Sequence, residues 1–171
     1  MNEPAARSGP RGYSPLQVAL HWAIAALVIF QLLVNRGMQD AFDDRMDGDA
    51  VEDAGWALLH IATGLSILVL AIVRVIVRLR HGVPPPAARR GAILNLLANV
   101  THLALYGFIF AMPITGALAW FGRSELSAEA HELGRLILIP LILLHALGAF
   151  VEHFAFRNDT LMRMLKADPE S

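Results

Sequence analysis

The chain has 171 residues, 56% of them hydrophobic, with 14 Lys and Arg against 15 Asp and Glu and a formal net charge of -1. A mean hydropathy of +0.50 is too high for an ordinary water-soluble domain, and nucleic acid is not among the partners expected of it. No cysteine is present, which excludes thiolate-held iron–sulfur clusters, haem attached through C-x-x-C-H and any disulfide framework, and leaves histidine as the strong metal ligand.

Crossing the hydrocarbon core of a bilayer takes about 20 mostly apolar residues, and four segments qualify: 15–34, 56–77, 92–120 and 131–154. The chain therefore reads as a single membrane domain over 1–171, all-α, an integral membrane antiparallel four-helix bundle. Ser14 followed by Pro15 is a helix start, because the serine side chain caps free amides while proline at the first position loses no hydrogen bond. The polar stretch before Ser14 and the length of the first apolar run speak against a cleaved signal peptide. Between the first two spans, Asn35 to Gly55 is an acidic, glycine-containing loop with room for a short surface helix. Trp56 stands where an interfacial anchor belongs. Pro84, Pro85 and Pro86 make a stiff break, and Pro113 with Gly116 predicts a kink in the third span. Trp120 and Phe121 mark its outer end, a turn through Gly122 and Ser124 leads into the fourth span, and a polar tail follows Phe156.

The cations are unevenly shared between the two sides of this topology. Arg7, Arg11, Arg74, Arg78, Arg80, Arg89, Arg90, Arg157, Arg163 and Lys166 lie on the side of the termini. The other side has Arg36, Arg45, Arg123 and Arg135, accompanied by Asp40, Asp43, Asp44, Asp47, Asp49, Glu52 and Asp53. The positive-inside rule then predicts both termini in the cytoplasm of a multi-pass protein.

Histidines within the spans carry the chemistry. His131 and His145 are fourteen residues apart, two heptads, so on one helix they return to within about 40° of the same face and stand roughly 21 Å apart along the axis. His21 in the first span reaches the depth of His145, and His60 in the second reaches that of His131. Two bis-histidine sites stacked across the membrane follow from depth alone, and two b haems held this way, with no vacant axial position, suit electron transfer better than oxygen chemistry. Against this stands the plain reading of each histidine as a hydrogen-bonded packing residue, although ionisable groups inside a membrane default to function. Gly64 and Gly148 fit either room for a macrocycle or close approach of neighbouring helices.

His102, Glu152 and His153 fall near the cytoplasmic ends of the third and fourth spans, where a quinone headgroup needs donors and a proton path; interfacial snorkelling is the simpler role for His153. His81 is read as a solvated loop residue. Arg74 and Arg78, one turn apart, match haem propionates or lipid phosphates, with lipid the default, and Arg123 and Arg135 have the same two readings on the exterior side.

The run from Tyr13 to Trp22 resembles the opening of the bacterial cytochrome b561 family of small di-haem membrane proteins. The resemblance continues through His60 to Leu70, Arg74 and Arg78, Pro84 to Pro86, His102 before Tyr106, Pro113, His131-Glu132, Leu144-His145 and the run Asn158 to Arg163, and so covers nearly the whole chain in order. It implies haem ligation by His21, His60, His131 and His145, residence in the bacterial inner membrane, and quinone chemistry at the cytoplasmic side. In the version of the family that oxidises superoxide, it implies a superoxide:ubiquinone oxidoreductase, with superoxide as exterior donor and ubiquinone as acceptor. The acidic exterior loop departs from what a surface attracting an anionic radical needs, so an exterior redox protein is the alternative donor. Two other classes fit the same residues: a cytochrome b anchor subunit without its own activity, and a metal or ion transporter whose histidines bind transiently.

Overall fold

In the computed structural model, residues 12–34, 37–51, 54–85 and 91–168 are described. Arg7, Arg11, Asn35, Arg36, Glu52, Asp53, Pro86, Arg89 and Arg90, invoked above for charge and chain breaks, lie outside them.

Helix α1 (Pro15–Leu33) begins where Ser14 and Pro15 dictate. Ser14 Oγ accepts from the Gln17 amide at 3.4 Å, and Gln17 Oε1 accepts from the Ser14 amide at 2.9 Å, a reciprocal cap that satisfies two free donors. The acidic connection does contain a short helix, α2 (Met38–Asp47), bracketed by Gly37 at φ 66 and Gly48 at φ 84, conformations that glycine adopts without a Cβ clash.

Three long helices follow: α3 (Ala54–His81), α4 (Ala92–Gly122) and α5 (Glu125–Phe154). Their 28, 31 and 30 residues exceed the roughly 20 that span the hydrocarbon, so each helix extends beyond the apolar segment read from sequence. On α5 the extension is at the start. Ser124 Oγ accepts from the Ser127 amide at 3.2 Å, and Glu125 in the first turn meets the positive end of the helix dipole. His131 therefore lies well inside the helix rather than at its opening. Helix α4 runs unbroken through Pro113, and α5 through Pro140, which sequence reasoning had not singled out.

Four of these helices, α1, α3, α4 and α5, are long and apolar enough to cross a membrane, and the described residues form no strand. Their outward faces suit a lipid solvent: Leu33, Leu79, Ile93 and Leu103 are between 74% and 79% exposed, an apolar surface that water would not tolerate at this scale. The buried set is small and includes Leu20, Ile24, Ile67, Ala71, Ala119 and Leu138. Packing runs in chain order, α1 on α3, α3 on α4 and α4 on α5, with α2 against α3 and α6 (Thr160–Leu165) against α5. No comparable seam joins α1 to α5, and that gap positions the site.

Polar contacts close the two ends of the bundle. At the end bearing the termini, Gln17 Nε2 donates to the Gly82 carbonyl at 2.9 Å and Arg74 Nη1 to the Gln17 carbonyl at 2.9 Å, joining α1 to α3. The tail is tied back there too. Trp22 Nε1 donates to the Met164 carbonyl at 2.7 Å, the Asp168 amide to the Tyr13 carbonyl at 2.9 Å, and Arg163 Nη1 to the Pro85 carbonyl at 3.1 Å. At the far end, Arg45 of α2 donates through Nε to the Trp120 carbonyl at 2.8 Å, with its guanidinium 4.9 Å over the Trp120 ring. One of the carbonyls left free at the end of α4 is thereby satisfied, and the cation gains the face of the indole. Arg123, at φ 52 after the helix, donates in turn to the Arg45 carbonyl.

Candidate functional site

The four histidines form two facing pairs. His21 of α1 and His145 of α5 have ring centroids 6.1 Å apart with planes inclined at 71°. His60 of α3 and His131 of α5 repeat the arrangement, 6.1 Å and 71°. With metal–imidazole bonds of about 2 Å and ring nitrogens about 1.1 Å from the centroid, two rings on opposite sides of one metal sit roughly 6 Å apart. Both pairs therefore have the separation that a single iron between them requires. A direct hydrogen bond between the rings would bring them closer than this.

The space around the pairs fits as well. A cavity of about 1630 Å³ lies between the helices and is lined by all four histidines, against the roughly 300–1000 Å³ of a pocket for one drug-sized ligand. The glycines show how the backbone makes room. A Cβ on Gly148, three residues beyond His145, would meet nothing within 4 Å, so this glycine borders open space instead of a close neighbouring helix. On Gly116 a Cβ would come within 3.0 Å of His131 Cε1; the imidazole occupies the place a side chain would fill. Gly64 stands 3.3 Å, by the same measure, from Gln31 Nε2.

His131 is oriented by its surroundings. Its Nδ1 lies 2.9 Å from the Met112 carbonyl and 3.3 Å from Thr115 Oγ1. A carbonyl only accepts, so Nδ1 carries the proton and Nε2 keeps its lone pair, the state that a metal-binding imidazole needs. Among the described residues no group of three or more His, Asp and Glu side chains is set to hold a bare metal ion. The two imidazoles of each pair would suit a haem iron, which needs fewer protein ligands than a bare metal ion.

Of the candidate quinone residues, His102 comes to the His21–His145 pair: its ring is 5.0 Å from that of His145, with Nδ1 bonded to the Ala98 carbonyl at 2.6 Å. Glu152 is buried, and its Oε2 accepts from Asn158 Nδ2 at 3.1 Å and Thr160 Oγ1 at 3.2 Å, anchoring the segment that leads into α6. His153 packs its ring 4.8 Å from Phe154, with Nδ1 3.4 Å from the Asn158 carbonyl. His102 and Glu152 both line the cavity. His81 returns Nδ1 to the Val77 carbonyl at 3.1 Å, as part of α3.

The arginines divide similarly. Arg74 and Arg78 line the cavity at the end of His21, Arg74 held by the Gln17 carbonyl and Arg78 5.8 Å over the Tyr106 ring. Arg135 lines it at the other end, 3.9 Å from Glu132. Arg123 is engaged with Arg45. Sequence reasoning missed Gln17, Gln31, Met112, Thr115 and Arg45. Three of these are polar side chains within apolar spans, and that position alone could have marked them.

A helical membrane bundle with facing imidazoles around a central cavity is the architecture of a membrane-bound b-type cytochrome. Residues 12–167 match the family model of prokaryotic cytochrome b561, and the chain belongs to that family. It is 35% identical over 156 residues to cytochrome b562 of Cereibacter sphaeroides, covering 91% of this chain and 96% of the relative. It is also 26% identical to the probable superoxide oxidase CybB of Yersinia pestis, covering 90% and 95%, and 27% identical to cytochrome b561 homolog 2 of Escherichia coli, covering 91% and 92%. Membrane electron transfer with b-type haem is the activity of the family.

Proposed function

We propose that the chain, as one membrane domain, binds two b haems, one between His21 and His145 and one between His60 and His131, and carries electrons across the bacterial inner membrane to quinone. The equal 6.1 Å separation of the two pairs is the observation that carries this reading. Both termini lie in the cytoplasm, which makes His60–His131 the exterior site and His21–His145 the cytoplasmic one. Haem supplies reversible one-electron chemistry, and the residues of the chain do the rest. Met112 and Thr115 hold His131 in its ligating tautomer. Arg74 and Arg78 offset propionate charge at the cytoplasmic site, as Arg135 does at the exterior. His102, beside His145, is the proton donor to a quinone headgroup, while Glu152 and His153 shape that end through the tail.

For the exterior donor, the leading reading is superoxide, oxidised to oxygen as ubiquinone is reduced; the name of the Yersinia relative supports it. A specific observation favours a second donor. Asp40 and Asp43 of α2 join Glu125, Glu129 and Glu132 of α5 along the cavity, and a rim of that sign attracts a basic electron-donor protein and repels an anion. The haem assignment is tested by pyridine haemochrome analysis of purified protein. Two acid-extractable haems per chain are expected; one haem per chain, or a covalent haem, contradicts it. The stoichiometry also separates this reading from a transporter, whose reduced-minus-oxidised spectrum would lack haem bands, and copurification of a stoichiometric exterior protein would point to an anchor subunit.

A further inference from the structure

Gln31, in the last turn of α1, lays its side chain across α3 beside His60. Its Nε2 donates to the His60 carbonyl at 2.9 Å, and the same nitrogen is the atom that a Cβ on Gly64, one turn after His60, would meet at 3.3 Å. The amide thus lies along the face of α3 that runs from His60 to Gly64. Its other atom, Oε1, is buried, and so is Nδ1 of His60; neither has a hydrogen-bond partner among the described residues. Buried polar atoms without partners are rare and costly. This pair is complementary: one lacks a donor, the other can donate.

The partner imidazole shows what is wanted. His131 gives its Nδ1 proton to the Met112 carbonyl, whereas His60, facing it, has no such acceptor. An imidazole whose Nε2 binds a metal holds its proton on Nδ1 and almost always gives it to an oxygen, which fixes the ring and raises ligand basicity. We propose that Gln31 is a positioning residue for the exterior haem: once Nε2 of His60 is engaged, Oε1 of Gln31 accepts the Nδ1 hydrogen bond. This inference rests on the reading of His60 as a haem ligand. A bond to Nδ1 enriches electron density on the imidazole and favours ferric over ferrous iron, so its loss raises the potential of that haem.

The test is redox titration, with electron paramagnetic resonance of the oxidised haems, on Gln31→Leu and Gln31→Glu in the full-length holoprotein. His60→Ala serves as the control that identifies the exterior component. Gln31→Leu, of similar size without the acceptor, should shift the reduction equilibrium of the exterior haem upward about tenfold, or about 59 mV for one electron, and alter its low-spin signal. Gln31→Glu, which keeps an acceptor, should hold that haem at or below the wild-type potential. The cytoplasmic haem should not move in either. If the leucine variant loses the exterior haem and the glutamate variant retains it, the inference is also supported. An exterior haem with unchanged potential and signal in Gln31→Leu would overturn it, as would equal loss of that haem from both variants. Should His60→Ala leave both haems in place, the ligand assignment itself fails and this inference with it, an outcome distinct from the others.

Discussion

His131 and His145 stand on one helix, α5, and each faces a histidine from another helix at the same ring separation, 6.1 Å. The two-heptad spacing puts both on nearly one face, roughly 21 Å apart along the axis. One rigid element thereby supplies half of each site and fixes the distance between them. Helices α1 and α3 each supply the other half of one site, and the loose α1–α5 seam leaves the intervening space open.

Gly116 is the most direct test of how tightly the exterior site is shaped. A Cβ there would stand 3.0 Å from His131 Cε1, and a branched side chain brings further atoms into the ring. Gly116→Val should displace His131 and lower the affinity for the exterior haem about 10-fold or more, the scale at which disturbing a ligand's support acts. Haem per chain should fall toward one with the cytoplasmic component intact. Full retention of both would show that His131 is not confined by α4.

His102 and Glu152, both proposed for the quinone end, are tested by different readouts. His102→Ala should retain both haems and slow quinone reduction at the end of His145. Glu152→Ala removes the acceptor for Asn158 and Thr160 and should destabilise the fold by about 1–3 kcal/mol, the usual cost of a buried polar group left without its partner. Thermal unfolding and limited proteolysis of the tail measure the second effect, and quinone-reduction kinetics the first. A tail in Glu152→Ala as protected as in the wild type would refute the anchoring role.

The donor is distinguished by salt. Carboxylates of α2 and α5 line the cavity, on the side proposed to be exterior, and their field reaches about 8 to 10 Å at ordinary ionic strength. Superoxide entering past them should reduce haem faster as salt rises, because screening weakens the repulsion. A basic donor protein should react more slowly under the same change. Stopped-flow reduction with each donor reads the sign. If reduction by superoxide slows with salt, Arg135 and its neighbours govern entry, and the acidic rim gives no argument against superoxide.

Much of this was legible in the sequence because the membrane imposes simple rules. Apolar length located the four spanning helices, and Ser14-Pro15 located the first helix start. Histidine depth paired His21 with His145 and His60 with His131, since alternating helix directions leave few ways to match four positions. What was not legible depends on contacts between distant segments. The short helix α2 was allowed for, but nothing local announced that Arg45 would cap the end of α4 at Trp120, or that the tail would return to Trp22 and Tyr13. The early start of α5 was hidden because Glu125 and Glu129 dilute its hydropathy, although the cap at Ser124 makes them helical. That the His102 ring would come within 5.0 Å of His145 depends on helix phase and packing, which depth alone cannot supply.

Whether each facing pair holds its own haem is read most directly by low-temperature absorption spectroscopy of His145→Ala and His131→Ala. Each substitution removes one of the proposed haem-binding imidazoles. The two variants should lose different spectral components, the cytoplasmic one in His145→Ala and the exterior one in His131→Ala, each retaining about one haem per chain. Identical residual spectra from the two would contradict the pairing of His21 with His145 and His60 with His131.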